Sequence, residues 1–198
     1  HLFPQTASFL IMIFITVLAC LTAVRYEAQA LAILGLIGGF GTPVLLSTGQ
    51  DNYMVLFSYV TLLNFGILGI SFKKRWPALQ YIGFAATWVV FIGWYSHHYH
   101  FLPGVADGPT RFWAALAFIN LSYLIYSIVP VAYHFLNGED HDVKGLFILI
   151  FNSLAALAYN YHIIDERFST RWVSVITLAY SFLFMLFAYR IYRQGPRA

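Results

Sequence analysis

The chain has 198 residues, of which 60% are apolar and 10% charged, with a mean hydropathy of +0.71. Ordinary soluble domains run at about 45–50% apolar and about 25% charged, so this composition excludes a water-soluble globule. The formal charge of +3, scattered along the chain, argues against a nucleic-acid partner, and the single cysteine, Cys20, excludes a disulfide within the chain.

The 19 Phe, 14 Tyr and 5 Trp residues are more ring surface than a core of this size hides, whereas a bilayer takes rings into its acyl interior and at both interfaces. A spanning helix needs about 20 mostly apolar residues, and the apolar runs predict an all-α, polytopic helical bundle of about seven spans forming one transmembrane region. In chain order these are Gln5–Val24, Ala28–Leu46, Asn52–Phe72, Leu79–Tyr95, Arg111–Phe135, Gly145–Ile163 and Arg171–Tyr192. The breaks between them hold the charges or the Gly and Pro residues that a bilayer interior rejects. The chain begins with His1 rather than Met, and no basic segment or small-residue cleavage site precedes the first apolar run. A fragment of a longer chain is therefore expected, with a processed start as the alternative.

The second span is apolar yet carries Gly35, Gly38, Gly39, Gly41 and Pro43. Lipid gives helices no hydrophobic reason to associate, and small residues at four-residue spacing, such as Gly35 and Gly39, let backbones approach closely. Tight helix packing is the expected use of this segment. The alternative is a broken helix at Gly38–Pro43 whose unwound backbone lines a polar cavity. Arg25 and Glu27 flank the entry to this span and, with Lys73, Lys74 and Arg75 after the third, read as cytoplasmic anchors whose long side chains reach water.

Asn64, Asn120 and Asn152 fall near the middle of the third, fifth and sixth spans. An unpaired amide there costs several kcal/mol, on the order of ~2–7, so each needs a partner on another helix. Asn152, Ala156 and Asn160 recur at four-residue spacing and form a weakly polar stripe, read either as interhelical glue or as the wall of a small hydrated crevice. Pro130 is expected to kink the fifth span. No Asp, Glu, Lys or Arg falls at the centre of a predicted span, which weakens a proton- or ion-coupled carrier.

Alternate loops lie on opposite sides of a membrane, and their Lys and Arg content reports which side is cytoplasmic. One side collects Arg25, Lys73, Lys74, Arg75, Lys144, Arg190, Arg193 and Arg197, and the other collects Arg111, Arg167 and Arg171. This asymmetry predicts an outer N-terminus and a cytoplasmic C-terminus. Trp76, Trp94, Tyr95, Trp113, Trp172 and Tyr192 lie near span ends, where interfacial aromatic residues belong.

His97, His98 and His100 fall on the loop after the fourth span, and His162 and Asp165 emerge on the same side. They are weak candidates for a metal site, because no paired spacing of the H-E-x-x-H kind fixes them together. No cofactor and no catalytic residue are expected: the chain lacks a G-x-S-x-G elbow and a phosphate-cradling glycine loop.

The stretch "RYEAQALAILGLIGGFGTPVLLSTG", followed by "NYMVLFSYVTLLNFGILGISFKKRW", resembles the bacterial multi-pass membrane proteins catalogued as domain of unknown function 2339. The resemblance is most specific over residues 24–92. Members of that family are longer chains with more spans, so it implies a multi-pass protein of the bacterial inner membrane and agrees with a fragment. It brings no activity. The expected role is a structural or assembly subunit whose partners are the lipid bilayer and other membrane-protein subunits. A transporter or flippase-like protein for a lipid-linked or small polar substrate is the first alternative, and an outer-face metal-dependent envelope enzyme the second.

Overall fold

A computed structural model describes residues 5–45, 52–99, 108–137, 144–165, 168 and 171–193. These residues form seven helices: α1 (Gln5–Arg25), α2 (Gln29–Leu45), α3 (Tyr53–Lys73), α4 (Pro77–His98), α5 (Gly108–Asn137), α6 (Lys144–Asp165) and α7 (Arg171–Arg193). Each covers one expected apolar run. No strand occurs among the described residues, so the fold is an all-α bundle.

Four described segments are long and apolar enough to cross a membrane: Tyr53–Lys73, Pro77–His97, Pro109–Pro130 and Phe147–Asp165. The described apolar stretches of the other three helices are shorter: Phe14–Arg25, Gln29–Pro43 and Arg171–Leu183.

The helix α5 is the axis of the bundle, packed broadly against α3 and α6 and also touching α4. Helices α1 and α2 form a hairpin beside α3 and α4, while α7 leans on α6. Two adjoining ends of α3 and α4, with parts of α5 and α6, are filled by rings. Phe57 stacks on Phe118 at 4.5 Å and meets Trp94 edge-on at 4.7 Å, while Phe91 meets Tyr159 edge-on at 5.2 Å. Trp94 is buried in this cluster, whereas Trp113 and Trp172 are exposed.

The distribution of side chains inverts that of a soluble protein. Phe14, Leu34, Val89, Leu178 and Phe182 point outward, more than half exposed, while Asn64, Asn152 and Asn160 are completely buried. A bundle with a greasy exterior and amides inside has lipid, not water, as its outer solvent.

The α1–α2 turn shows how the chain reverses. Tyr26 donates its N–H to Thr22 O at 3.0 Å and Ala28 to Ala23 O at 2.9 Å, which closes the last turn of α1 around Glu27 in the left-handed region, φ 55°. The α3–α4 turn ends with Pro77 at the start of α4, where the missing N–H has no helical partner to lose.

Candidate functional site

The glycine-rich segment was expected either to pack or to break. Helix α2 runs without interruption from Gln29 to Leu45, through Gly38 and Pro43, so the described backbone has no unwound stretch there. Two donors explain how Pro43 is accommodated. A proline removes the N–H that would bond to the carbonyl four residues earlier, here Gly39. The Tyr59 hydroxyl of α3 donates to Gly39 O instead, at 2.8 Å and buried. One residue away, Thr42 Oγ1 donates to Gly38 O at 2.8 Å within the helix.

The four glycines divide by what surrounds them. A β-carbon on Gly35 would lie 3.3 Å from Ala19 Cβ of α1, and one on Gly39 would lie 3.4 Å from Leu63 and Thr16 side chains. Gly38 and Gly41 have open space at that position. The tightest of the described glycine positions is elsewhere, at Gly83 of α4. A β-carbon there would sit 2.2 Å from Ile67 Cδ1 and 3.0 Å from the Tyr126 hydroxyl. The spacing Gly83-x-x-x-Thr87 is the small-xxx-small signal that could have identified it.

Around Gly83 lies the first of two buried polar knots. Asn64 Oδ1 of α3 accepts from Thr87 Oγ1 of α4 at 2.8 Å and from the Tyr126 hydroxyl of α5 at 2.9 Å. Thr87 and Tyr126 lie 3.2 Å apart, and Thr87 also approaches Gly83 O at 2.8 Å. Three helices meet at one carbonyl oxygen. The knot is lopsided: Asn64 Nδ2 is buried with no hydrogen-bond partner among the described residues.

The second knot joins α5, α6 and α7. Asn120 Nδ2 donates to Asn160 Oδ1 at 3.1 Å, Asn160 Nδ2 donates to the Tyr180 hydroxyl at 2.9 Å, and that hydroxyl donates to Asn120 Oδ1 at 2.9 Å. The remaining amide hydrogens go to Leu116 O and Ala156 O, each at 2.8 Å. Every side-chain donor in this ring is used, which is the condition under which a polar group is cheap inside a membrane. Tyr180 also stacks on Tyr123, ring centroids 3.8 Å apart.

The stripe on α6 thus faces α5. Asn160 is consumed in the ring, Ala156 is fully buried, and Asn152 Nδ2 donates to the backbone carbonyl of Tyr123 at 2.9 Å. Asn152 Oδ1 is buried without a partner among the described residues.

At the opposite kind of position, in the turns, Lys74 pairs with Glu27 and joins the α1–α2 turn to the end of α3. The Lys74 ammonium, by hydrogen bond and by charge, holds the Glu27 carboxyl below its ordinary range. Arg25, Lys73 and Arg75 are exposed at the same two turns.

The histidines are placed differently from expectation. Helix α4 continues to His98, so His97 and His98 belong to its last turn rather than to a loop. A helical backbone keeps its own hydrogen bonds past the last apolar side chain, and hydropathy marks only where lipid contact ends. His97 is exposed, as are His162 and Asp165 near the end of α6. The side chain of His98, and all of His100, lie outside the described residues. Among those described, no group of three or more His, Cys, Asp or Glu side chains comes together in a way that would hold a metal ion.

These features describe an apolar-surfaced bundle whose buried amides bond mainly from one helix to another. No curated protein and no solved structure matches the chain. One family does, over residues 1–198: that described as "Predicted membrane protein (DUF2339)". With its whole length matched, its greasy exterior and its buried amides, the chain belongs to this family of membrane proteins.

Proposed function

We propose that this chain is a structural or assembly subunit, a membrane-embedded scaffold that packs with other membrane proteins in the bacterial inner membrane. All seven helices cross, with the N-terminal side outside and the C-terminal side cytoplasmic. The observation that carries the role is the closed ring of Asn120, Asn160 and Tyr180. Intramembrane amides that line a substrate path keep hydrogen-bonding capacity for what passes, whereas these are saturated by one another and tie three helices together. The unbroken α2 supports the same reading. The eight-to-three split of Lys and Arg supports the orientation, and so does the Lys74–Glu27 pair, which joins two turns assigned to one side. The role calls for no cofactor.

The test is photo-crosslinking in intact bacteria, with the probe placed at exposed apolar positions such as Leu178 and Phe182, followed by extraction in a lipid-retaining polymer. Discrete higher-mass adducts that repeat between preparations are expected. A protein that yields no adduct from any exposed face and purifies alone and monodisperse overturns the assembly role. Cysteine labelling that finds Lys73–Arg75 and Arg193 on opposite sides overturns the topology.

A further inference from the structure

Helices α1, α2 and α3 do not close on one another completely. Between them runs a groove of about 400 Å³ whose wall is almost wholly apolar. On α3 its floor is the stripe Leu62, Gly66, Gly69 and Lys73, and Val17 and Val24 of α1 form the facing edge. The residues of the stripe are three or four apart, so they lie along one face of the helix. A β-carbon on Gly66 or Gly69 would meet nothing within 4 Å. The two glycines therefore hold no neighbouring backbone close, and their lack of a side chain leaves the groove open.

We infer that this groove seats one acyl chain of an anionic glycerophospholipid, with the phosphate at Lys73. Three observations select this occupant. From Leu62 to Lys73 the stripe rises about 16 Å at roughly 1.5 Å per residue, about half of a roughly 30 Å hydrocarbon core, which is the depth of one leaflet. The groove ends at an exposed lysine in the last turn of α3, so its apolar length leads to a cation at the level of the headgroups. At that end the Lys74–Glu27 pair ties the α1–α2 turn to α3, so one cation is engaged by protein while Lys73 lines the groove itself. A neutral, zwitterionic lipid fits the apolar part equally well. The phosphate of an anionic lipid, with no ammonium of its own, is what Lys73 distinguishes.

The experiment reconstitutes the full chain into phosphatidylcholine nanodiscs doped with phosphatidylglycerol that carries a photoactivatable acyl chain, and maps the adducts by mass spectrometry. Phosphatidylcholine with the same acyl chain is the parallel probe. Phosphatidylglycerol adducts concentrated on residues 17–24 and 62–73 are expected, falling about fivefold in Lys73→Gln, as expected for one cation near an anionic surface. The same substitution should leave phosphatidylcholine labelling unchanged. The double variant Gly66→Leu/Gly69→Leu, whose new side chains enter open space, should lose adducts from both lipids while its thermal unfolding is retained. If that variant is misfolded, Lys73→Gln alone still decides. Equal labelling by the two lipids, labelling spread evenly over α7 and the groove, or chain-to-chain adducts marking a second copy in the groove would each overturn the inference.

Discussion

The two polar knots use the same chemistry to different completeness. Around Asn120, Asn160 and Tyr180 each donor finds an acceptor and the ring closes on itself. Around Asn64, two hydroxyls crowd one carbonyl oxygen and the amide nitrogen is left over. The difference follows from how the groups face each other: in the ring each amide nitrogen points at an oxygen, whereas both hydroxyls of the other knot converge on Asn64 Oδ1 and neither accepts from its Nδ2. The first knot is fixed by a closed set of hydrogen bonds, and the second also by how tightly the Ile67 and Tyr126 side chains pack against Gly83.

This comparison is sharpest where it is broken. The largest effect is expected at Gly83. Gly83→Val forces Ile67 and Tyr126 aside and should destabilise by about 3 kcal/mol or more, with Gly83→Ala costing about 1–3 kcal/mol, as overpacked cores do. The atom in the way is Ile67 Cδ1, 2.2 Å from the new carbon. Adding Ile67→Val removes that atom and should restore most of the loss. Thermal unfolding of the four proteins of this cycle in one detergent reads the coupling, and simple additivity would mean that Gly83 is not the contact holding α4 to α3.

Next comes the ring. Asn160→Leu takes the acceptor from one Asn120 amide hydrogen and the donor from the Tyr180 hydroxyl, leaving only the Tyr180–Asn120 bond of the ring, and should cost about 2 kcal/mol or more. Tyr180→Phe removes the hydroxyl and both of its bonds and should cost about 1–2 kcal/mol, at about 0.6 kcal/mol or more for each interhelical hydrogen bond in a membrane. Asn64→Leu should cost less than Asn160→Leu, because it also deletes an unpartnered donor and leaves Thr87 and Tyr126 bonded to each other. An equal or greater loss at Asn64 in the same unfolding assay would erase the distinction between the knots.

The smallest effect lies outside the membrane. Glu27 has its folded-state pKa lowered by Lys74, so the pair contributes above the unfolded value, about 4.3, and its contribution disappears as pH falls through the lower folded value. The difference in melting temperature between the wild type and Glu27→Gln should be slight at pH 7, shrink with added salt and vanish in acid. A difference that grows on acidification would contradict the pairing.

What could be read from the sequence follows from which physical signals are local. Hydropathy marks contact with lipid, so each apolar run became a helix, and the ends of α3 fall within one residue of expectation. The end of α4 does not, because Tyr95 to His98 keep helical hydrogen bonds beyond the apolar run. The need of Asn64, Asn120, Asn152 and Asn160 for partners was evident from their apolar surroundings. The partners Thr87, Tyr126 and Tyr180 were not, since the register of one helix against another is written in no single helix. The same holds for Gly66 and Gly69, whose stripe on α3 has meaning only beside α1 and α2.

The hydroxyl of Tyr59 on the Gly39 carbonyl bears on how α2 is completed. An oxygen released by Pro43 and left facing hydrocarbon would cost several kcal/mol, on the order of ~2–7. The far turn of α2 therefore completes its bonding only when α3 stands beside it. Tyr59→Phe should therefore loosen the far turn of α2 along with its contact to α3.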